Sequence, residues 1–257
     1  MTKEVIQHRI YDQIAPKHEM NFFGYKVLSH PNKKDFLNLK NKFRRFLYEK
    51  LITFGLRNCN FEEFRLEDYH QILENCEVDH HGFIKKERRK LPPEFLDDSY
   101  IKMMIKTTNE DLGKNFEIFE KNIEFRVVRA MTNDNNPLHR DHWFPYFETL
   151  LNVYLPLSGS TYSSALAIVP FSHKWTDREV VPTFSYEDIL AGRKTTKESG
   201  VKYSVPTVKS SEKEIIIHRP DIQTGNFMIF SPTMIHGGGN NTYTETRFSL
   251  EIRLNLV

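Results

Sequence analysis

The sequence predicts a mainly β chain: an antiparallel double-stranded β-helix, or jelly-roll, buttressed on one sheet by helices from an α-helical N-terminal region. Three observations carry this. Up to about residue 121 the apolar residues recur at helical spacing. From Asn122 onward, short apolar runs alternate with turn residues. No internal repeat or low-complexity tract interrupts either half, and 257 residues suit one large domain. The expected organisation is a single domain over 1–257, with 1–121 a mostly helical support region and 122–257 the jelly-roll core.

Taken in order, residues 1–21 are polar and of mixed charge, and read as a loose arm or short helix. Residues 22–28 suggest a strand broken at Gly24, ended by Pro31. Over 34–56, Phe36, Leu37, Leu39, Phe43, Phe46, Leu47 and Leu51 recur at mostly three- and four-residue steps, which predicts an amphipathic helix with a basic outer face, packed across the back of the sheet. Further helices are expected over 61–75, with Leu66, Tyr69, Ile72 and Leu73 as its stripe, and over 97–108. Between them His80 and His81 read as a solvated turn, because adjacent histidines diverge on a helix and alternate on a strand. The basic stretch 85–90 reads as a solvated face or as a surface that meets an anionic group.

The β region opens with a strand over 123–131 carrying Arg126 and Arg129 on opposite faces. The inward one needs an anion partner, since an unpaired buried charge is costly. That partner is a carboxylate on one of the helices, or of a bound acidic small molecule. An Asn- and Asp-rich turn over 132–137 follows. A second strand over 149–157 places Asn152 and Tyr154 on one face, expected to be the inner one, with Asn152 either a ligand contact or a satisfied core amide. A third strand is expected over 164–169, followed by a turn supported by His173. Residues 176–220 form a polar, proline-punctuated excursion with a helical turn near 186–191. Residues 214–218 re-enter the sheet, and 225–230 and 246–257 complete it.

The chemistry concentrates in two places. In an extended segment His139 and Asp141 project to one face, and they supply two thirds of a 2-His-1-carboxylate facial triad, the ligand set of non-haem ferrous oxygenases. His236, before a run of glycines, would be the third ligand. Arg247 follows it, with Ser249 on the same strand face. A guanidinium grips a carboxylate through two parallel hydrogen bonds. A cosubstrate that chelates iron at one end and carries a carboxylate at the other needs such a group, and 2-oxoglutarate is that kind of molecule.

With these residues in view, the sequence resembles the Fe(II)/2-oxoglutarate-dependent oxygenases, in particular the phytanoyl-CoA dioxygenase-like family. The resemblance covers roughly 122–254 and rests on His139-x-Asp141, the block from Ala165 to Lys174, the Gly225 turn, His236 and Arg247-x-Ser249. Phe171 stands where the family usually has glycine, and Asn226 where it usually has aspartate. The resemblance implies a cupin-like jelly-roll with iron on His139, Asp141 and His236, and 2-oxoglutarate on Arg247 and Ser249, aided by Asn152 and one of Arg126 and Arg129. It implies oxidative decarboxylation by O2 to succinate and CO2, ascorbate being supportive, then attack on an unactivated C–H bond. Asp141 argues against halogenation, since halogenating relatives carry a small residue there. His142, Trp143 and Tyr154 are candidate pocket walls, and 176–220 a candidate lid.

The expected substrate is a small polar metabolite, a carbohydrate or secondary-metabolite precursor. Two alternatives stay open: a non-redox jelly-roll that binds a small molecule or sugar, and a cupin-type metalloenzyme that does not use 2-oxoglutarate. The latter leaves Arg247 and Ser249 unexplained. The net charge of +2 argues against nucleic acid or a membrane surface as partner. Two cysteines without metal-type spacing suggest free thiols in a reducing compartment. Residues 1–9 are charged with no apolar stretch after them, and no run approaches the roughly 18 apolar residues of a membrane span. A soluble cytoplasmic protein is the expectation.

Overall fold

A computed structural model describes the chain except for residues 1–13, 15, 30, 31, 77, 135, 197–201, 204, 238 and 239. The arm expected over 1–21, and Pro31, thus fall largely outside the described residues. A short helix, α1 (Glu19–Phe23), comes next, closed by Gly24 at φ +85 before strand β1 (Tyr25–Ser29). The single broken strand expected from residue 22 is therefore helix then strand. The His18 ring accepts from the Met20 amide and caps the first turn, and the left-handed glycine ends the helix.

The long helix α2 (Lys33–Thr53) lies where the periodicity puts it, with Phe36, Leu39, Phe43, Phe46, Leu47 and Leu51 buried, Leu37 exposed beside the stripe, and the Asn32 side chain capping the Asp35 amide at 3.1 Å. Two shorter helices follow, α3 (Tyr69–Cys76) and α4 (His80–Glu87), and then α5 (Ser99–Leu112). The helix expected over 61–75 begins only at Tyr69. The Glu67 carbonyl is taken by the Thr246 amide at 2.8 Å, and the Phe61 ring lies under the Arg44 and Arg45 guanidinium groups. Both interactions hold 61–68 in tertiary contacts that a helix would break. His80 is also not in a solvated turn. It opens α4, is 6% exposed, and its Nδ1 hydrogen-bonds the Tyr69 hydroxyl at 3.1 Å.

Strand β2 (Phe116–Val128) starts earlier than its apolar run suggested. It is followed by β3 (Leu151–Ser158), β4 (Ala167–Ile168), β5 (Val180–Pro182), helix α6 (Tyr186–Leu190), and the short strands β6 (Thr195–Thr196), β7 (Lys202–Tyr203) and β8 (Val208–Ser211). The chain ends with β9 (Asn226–Phe230), β10 (His236–Gly237) and β11 (Arg247–Leu256). The expected third strand shrinks to two residues. Residues 214–218 form no strand: Ile216 and Ile217 are exposed, and only His218 bridges Ile168.

The main sheet is five-stranded and antiparallel, ordered β1-β9-β3-β11-β2. Its back face carries Phe125, Leu155, Phe248, Leu250, Ile252 and Leu254 into one core with α2 and α5. The Phe43 ring meets Phe125 at 5.4 Å and Phe248 at 5.6 Å. The front face of β3 and β9 meets the β4–β10 ladder through a second apolar cluster containing Tyr154, Met228, Phe230, Leu166 and Ile168. This is the mainly β jelly-roll with a helical N-terminal flank. Alternation along β11 leaves Arg247, Ser249, Glu251 and Arg253 on the front face. No helix among the described residues is long and apolar enough to cross a membrane.

Two buried histidines make the fold sensitive to acid. Burial, reinforced by Arg129, pushes His80 from the ordinary 6.5 down to about 4, and burial does the same to His173. Both bind a proton more readily when the chain is unfolded. The stability they contribute is complete above pH 6.5 and is lost as pH falls towards 4. Thermal melts should therefore decline steadily through that window, by on the order of 1.4 kcal/mol per pH unit for each histidine. His80→Asn should flatten the decline; an unchanged slope would remove His80 from the account.

Candidate active site

His139 and His236 face each other across an antiparallel bridge, each backbone amide donating to the other's carbonyl at 2.9 Å. Directly opposed residues project to the same side of a ladder, and the two ring centroids lie 4.3 Å apart. Gly237 permits this approach: it sits at φ +95, and a Cβ there would come within 2.7 Å of the Pro137 carbonyl and 2.9 Å of the His139 ring. Asp141 begins a short 3-10 turn whose amide donates to the Pro232 carbonyl at 3.0 Å, which swings its carboxylate between the two rings.

Each imidazole is held in one tautomer. His139 Nδ1 lies 2.8 Å from the Pro137 carbonyl and His236 Nδ1 lies 3.0 Å from that of Met234. A carbonyl only accepts, so both Nδ1 atoms carry the proton and both Nε2 atoms present a lone pair. These Nε2 atoms lie 3.6 and 3.8 Å from Asp141 Oδ1. One donor atom from each of the three residues falls within 4.8 Å of the others, and all three side chains are buried. Burial, together with the His139 ring, pushes His236 down to about 4, which keeps it neutral and able to donate its lone pair. Burial disfavours the Asp141 anion, but Arg253 and the two imidazoles outweigh this and hold the carboxyl well below the usual range. Two imidazoles and one carboxylate, with a donor atom from each converging, suit a divalent first-row metal ion such as ferrous iron.

The other carboxylate oxygen is committed. Asp141 Oδ2 accepts from Asn152 Nδ2 at 3.0 Å and from Arg253 Nη2 at 3.2 Å. Asn152, read from the sequence as a possible cosubstrate contact, thus bonds the aspartate. Arg253 was not anticipated, although extending the alternation of Arg247 and Ser249 by two steps each time reaches it.

Arg247 lines the same cavity as the three donors. Its Nη1 donates to the Ser164 carbonyl at 2.7 Å, while its buried Nε has no hydrogen-bond partner. Ser249 Oγ is likewise buried and without a partner. A guanidinium N–H and a hydroxyl without partners in one buried region fit a carboxylate that accepts from both. Tyr154, Leu166 and Phe230 supply the less polar wall of this cavity.

The remaining candidates fall elsewhere. Arg126 lines the cavity, but its Nε is bound to Glu251 at 2.7 Å. Arg129 turns away and grips Asp134 through two bonds of 2.6 and 2.9 Å. For both arginines the chain itself supplies a carboxylate, from a strand and a loop. His142 bonds Asp177 at 3.1 Å, and Trp143 packs into a core patch with Val169, Val180 and Ile235. None of the described residues of 176–220 lines this cavity or the larger one beside it, and 197–201 and 204 of the expected lid lie outside the described residues.

A family model described as phytanoyl-CoA dioxygenase matches residues 110–249. Similar solved structures include the non-heme monooxygenase ThoJ in its apo form, 11% identical over 92% of this chain and 75% of that one, with a TM-score of 0.54. EvdO2 from Micromonospora carbonacea var. aurantiaca, complexed with 2-oxoglutarate, is 11% identical over 92% of this chain and 87% of that one, with a TM-score of 0.54. EctD from S. alaskensis with bound Fe is 15% identical over 92% and 74%, with a TM-score of 0.50. These likenesses establish the shared fold. No curated protein matches the sequence.

The geometry makes metal affinity depend on how Asp141 is held. Adding Fe(II) anaerobically should raise the melting temperature, by the equivalent of about 2.7 kcal/mol at a hundredfold excess over Kd. Asp141→Ala should abolish the shift. Arg253→Met and Asn152→Leu should each weaken metal binding by about tenfold to a hundredfold, as losing a partner of a ligand does. Metal affinity unchanged in both variants would show that Asp141 orients itself without them.

Proposed function

The chain belongs to the phytanoyl-CoA dioxygenase family of Fe(II)- and 2-oxoglutarate-dependent oxygenases, and on that premise we propose that it hydroxylates an unactivated C–H bond of a small polar metabolite. The observation that carries this reading is a single cavity with two halves. One half is lined by His139, His236 and Asp141, whose donor atoms converge, and the other by Arg247, whose buried Nε has no partner; the partnerless Ser249 Oγ lies two residues further along the same strand face.

In this reading His139, Asp141 and His236 hold the ferrous ion, and Arg247 with Ser249 receives the distal carboxylate of 2-oxoglutarate. When bound, iron and its keto-acid supply the oxidising power, consuming O2 and releasing succinate and CO2. The protein's part is positional and electrostatic. Asn152 and Arg253 keep Asp141 turned so that only Oδ1 faces the imidazoles. The low pKa of Asp141 and the neutrality of His236 keep the donor set ready at neutral pH. Tyr154, Leu166 and Phe230 limit the water that reaches the keto-acid. Because Asp141 occupies the carboxylate position, the reading is hydroxylation and not halogenation.

The test is succinate formation from 2-oxoglutarate with Fe(II), ascorbate and candidate substrates. Arg247→Met should raise the KM for 2-oxoglutarate at least about tenfold, the effect of removing a hydrogen bond to a charged group, with a smaller change in kcat. Asp141→Ala should remove turnover. Wild-type turnover in the Asp141 variant, or an unchanged KM in the Arg247 variant, would defeat the assignment.

A further inference from the structure

A second cavity of about 540 Å³ adjoins the first, which is the smaller at about 70 Å³. Glu251 and Arg253 line both. The partition between them therefore includes the guanidinium that touches the proposed metal ligand Asp141. A volume of that order suits a small molecule.

The wall opposite Arg253 is a distortion of strand β2. Ile123 pairs with Ile252 and Ile118 with Leu254, so Phe119, Glu120, Lys121 and Asn122 all stand across from the single residue Arg253. Glu120 and Lys121 hold φ of +53 and +50, a left-handed conformation that non-glycine residues adopt only under strain. A pair of these in mid-strand persists where the surroundings impose it, and such outliers cluster at ligand sites. Here the bulge brings Phe119, Glu120 and Asn122 to the cavity.

The charges of the lining are unevenly committed. Arg253 is bound to Asp141 and stacked over the Phe147 ring at 4.3 Å. Arg89 is bound to Glu124 Oε1 at 2.8 Å. Both cations thus have carboxylate partners. On the acidic side, Glu124 is 4% exposed and lies between Arg89 at Oε1 and Arg126, 3.6 Å from Oε2. Glu120 is exposed and has no ion-pair partner among the described residues. Tyr146, 52% exposed and set against the Phe147 ring at 4.3 Å, completes the wall. An anionic guest would have to displace Asp141 or Glu124 from an arginine. A cationic guest would find the exposed Glu120 carboxylate in place, beside aromatic rings that favour a cation or a flat sugar face.

We propose that this outer cavity is the substrate chamber and that it takes an ammonium-bearing polar ring compound. Glu120 receives the ammonium, with the negative charge of Glu124 beside it, and Tyr146 and Phe119 cover the ring. The proposal rests on the oxygenase reading for its role and narrows the substrate class. It also removes the anionic guest that the basic stretch 85–90 had suggested, because Arg89 of that stretch is already bound to Glu124.

The experiment is saturation-transfer NMR with three probes of one ring shape: glucosamine, glucose and glucuronate. It is run on the metal-loaded protein with 2-oxoglutarate, in the absence of oxygen. Glucosamine should bind at least about tenfold more tightly than glucuronate, the difference expected for one charge-assisted contact. Glu120→Gln and Glu124→Gln should each reduce that preference. Where burial of Glu124 prevents its variant from folding, Glu120→Gln and Tyr146→Ala, both at exposed positions, decide. Glucuronate binding equally or better, no response to glucosamine, or an unchanged preference in the Glu120 variant would overturn the proposal. Binding of 2-oxoglutarate, read on the same samples by calorimetry, reports separately on the oxygenase reading.

Discussion

The site depends on one buried carboxylate with two different environments. A charge in the interior must be paired or it neutralises. Asp141 is paired through Oδ2, by Asn152 and Arg253, and this leaves Oδ1 as the atom that meets the two imidazoles. Without those partners the same carboxyl, surrounded by protein, would be driven towards its neutral form, and a neutral carboxyl is a poor ligand. The arrangement therefore sets both the charge and the direction of the third donor before any ion arrives. Arg253 is raised in pKa by Asp141 and Glu251 despite its own burial, so the two groups keep each other ionised.

Strand β11 turns this local pairing into a larger layout. Its front face carries Arg247, Ser249, Glu251 and Arg253 in register, and pairing with β2 and β3 on both sides holds them rigid. Arg247 and Arg253 are six residues apart, roughly 20 Å along an extended strand. One end of the stripe offers partnerless donors to an anion, and the other touches the metal carboxylate and borders the outer cavity. The back face of the same strand, Phe248 to Leu254, is packed against the helical flank. Shifting the register by one residue would exchange the two faces, so the aromatic core and the site stabilise the same alignment.

This double use explains what the sequence disclosed. The converging donors His139, Asp141 and His236, and Arg247, were legible because their chemistry is unusual in an apolar strand context, and α2 because its period is sustained over about four turns. Arg253 follows the same alternation as Arg247, but nothing in the chain marks an arginine as lying beside Asp141, which is 112 positions away. Asn152 was placed on the inner face, yet its partner was not deducible, since an amide suits either a ligand or a carboxylate. His80 and the segment 61–68 were misread because their surroundings come from distant residues: Tyr69 and Asp134 around His80, and Thr246 at Glu67. Phe171 shows the converse. The family usually has glycine there, and the backbone indeed keeps the left-handed φ of +67, with the ring resting on Phe22 and Phe23 at 5.5 Å. The turn is preserved and the aromatic contact offsets part of its strain.

The residue between the two ligands completes the constraint. Alternation sends Arg140 to the side opposite His139 and Asp141, and it is 1% exposed there. Its guanidinium donates to the Ser172 carbonyl at 2.6 Å and the Trp175 carbonyl at 3.0 Å, and meets Asp177 at 3.3 Å. Asp177 also accepts from His142. The segment that carries the metal donors is thus tied from behind to the 172–177 turn. From the other direction, the Ser172 hydroxyl accepts the Ile235 amide at 2.8 Å, one residue before His236. The turn therefore joins both metal-donor segments at a second point, independent of the His139–His236 bridge. Two fixed points determine the approach of the two strands where one would leave a hinge. The imidazole separation is in this way a property of the scaffold, set by a buried arginine that contributes no atom to the site.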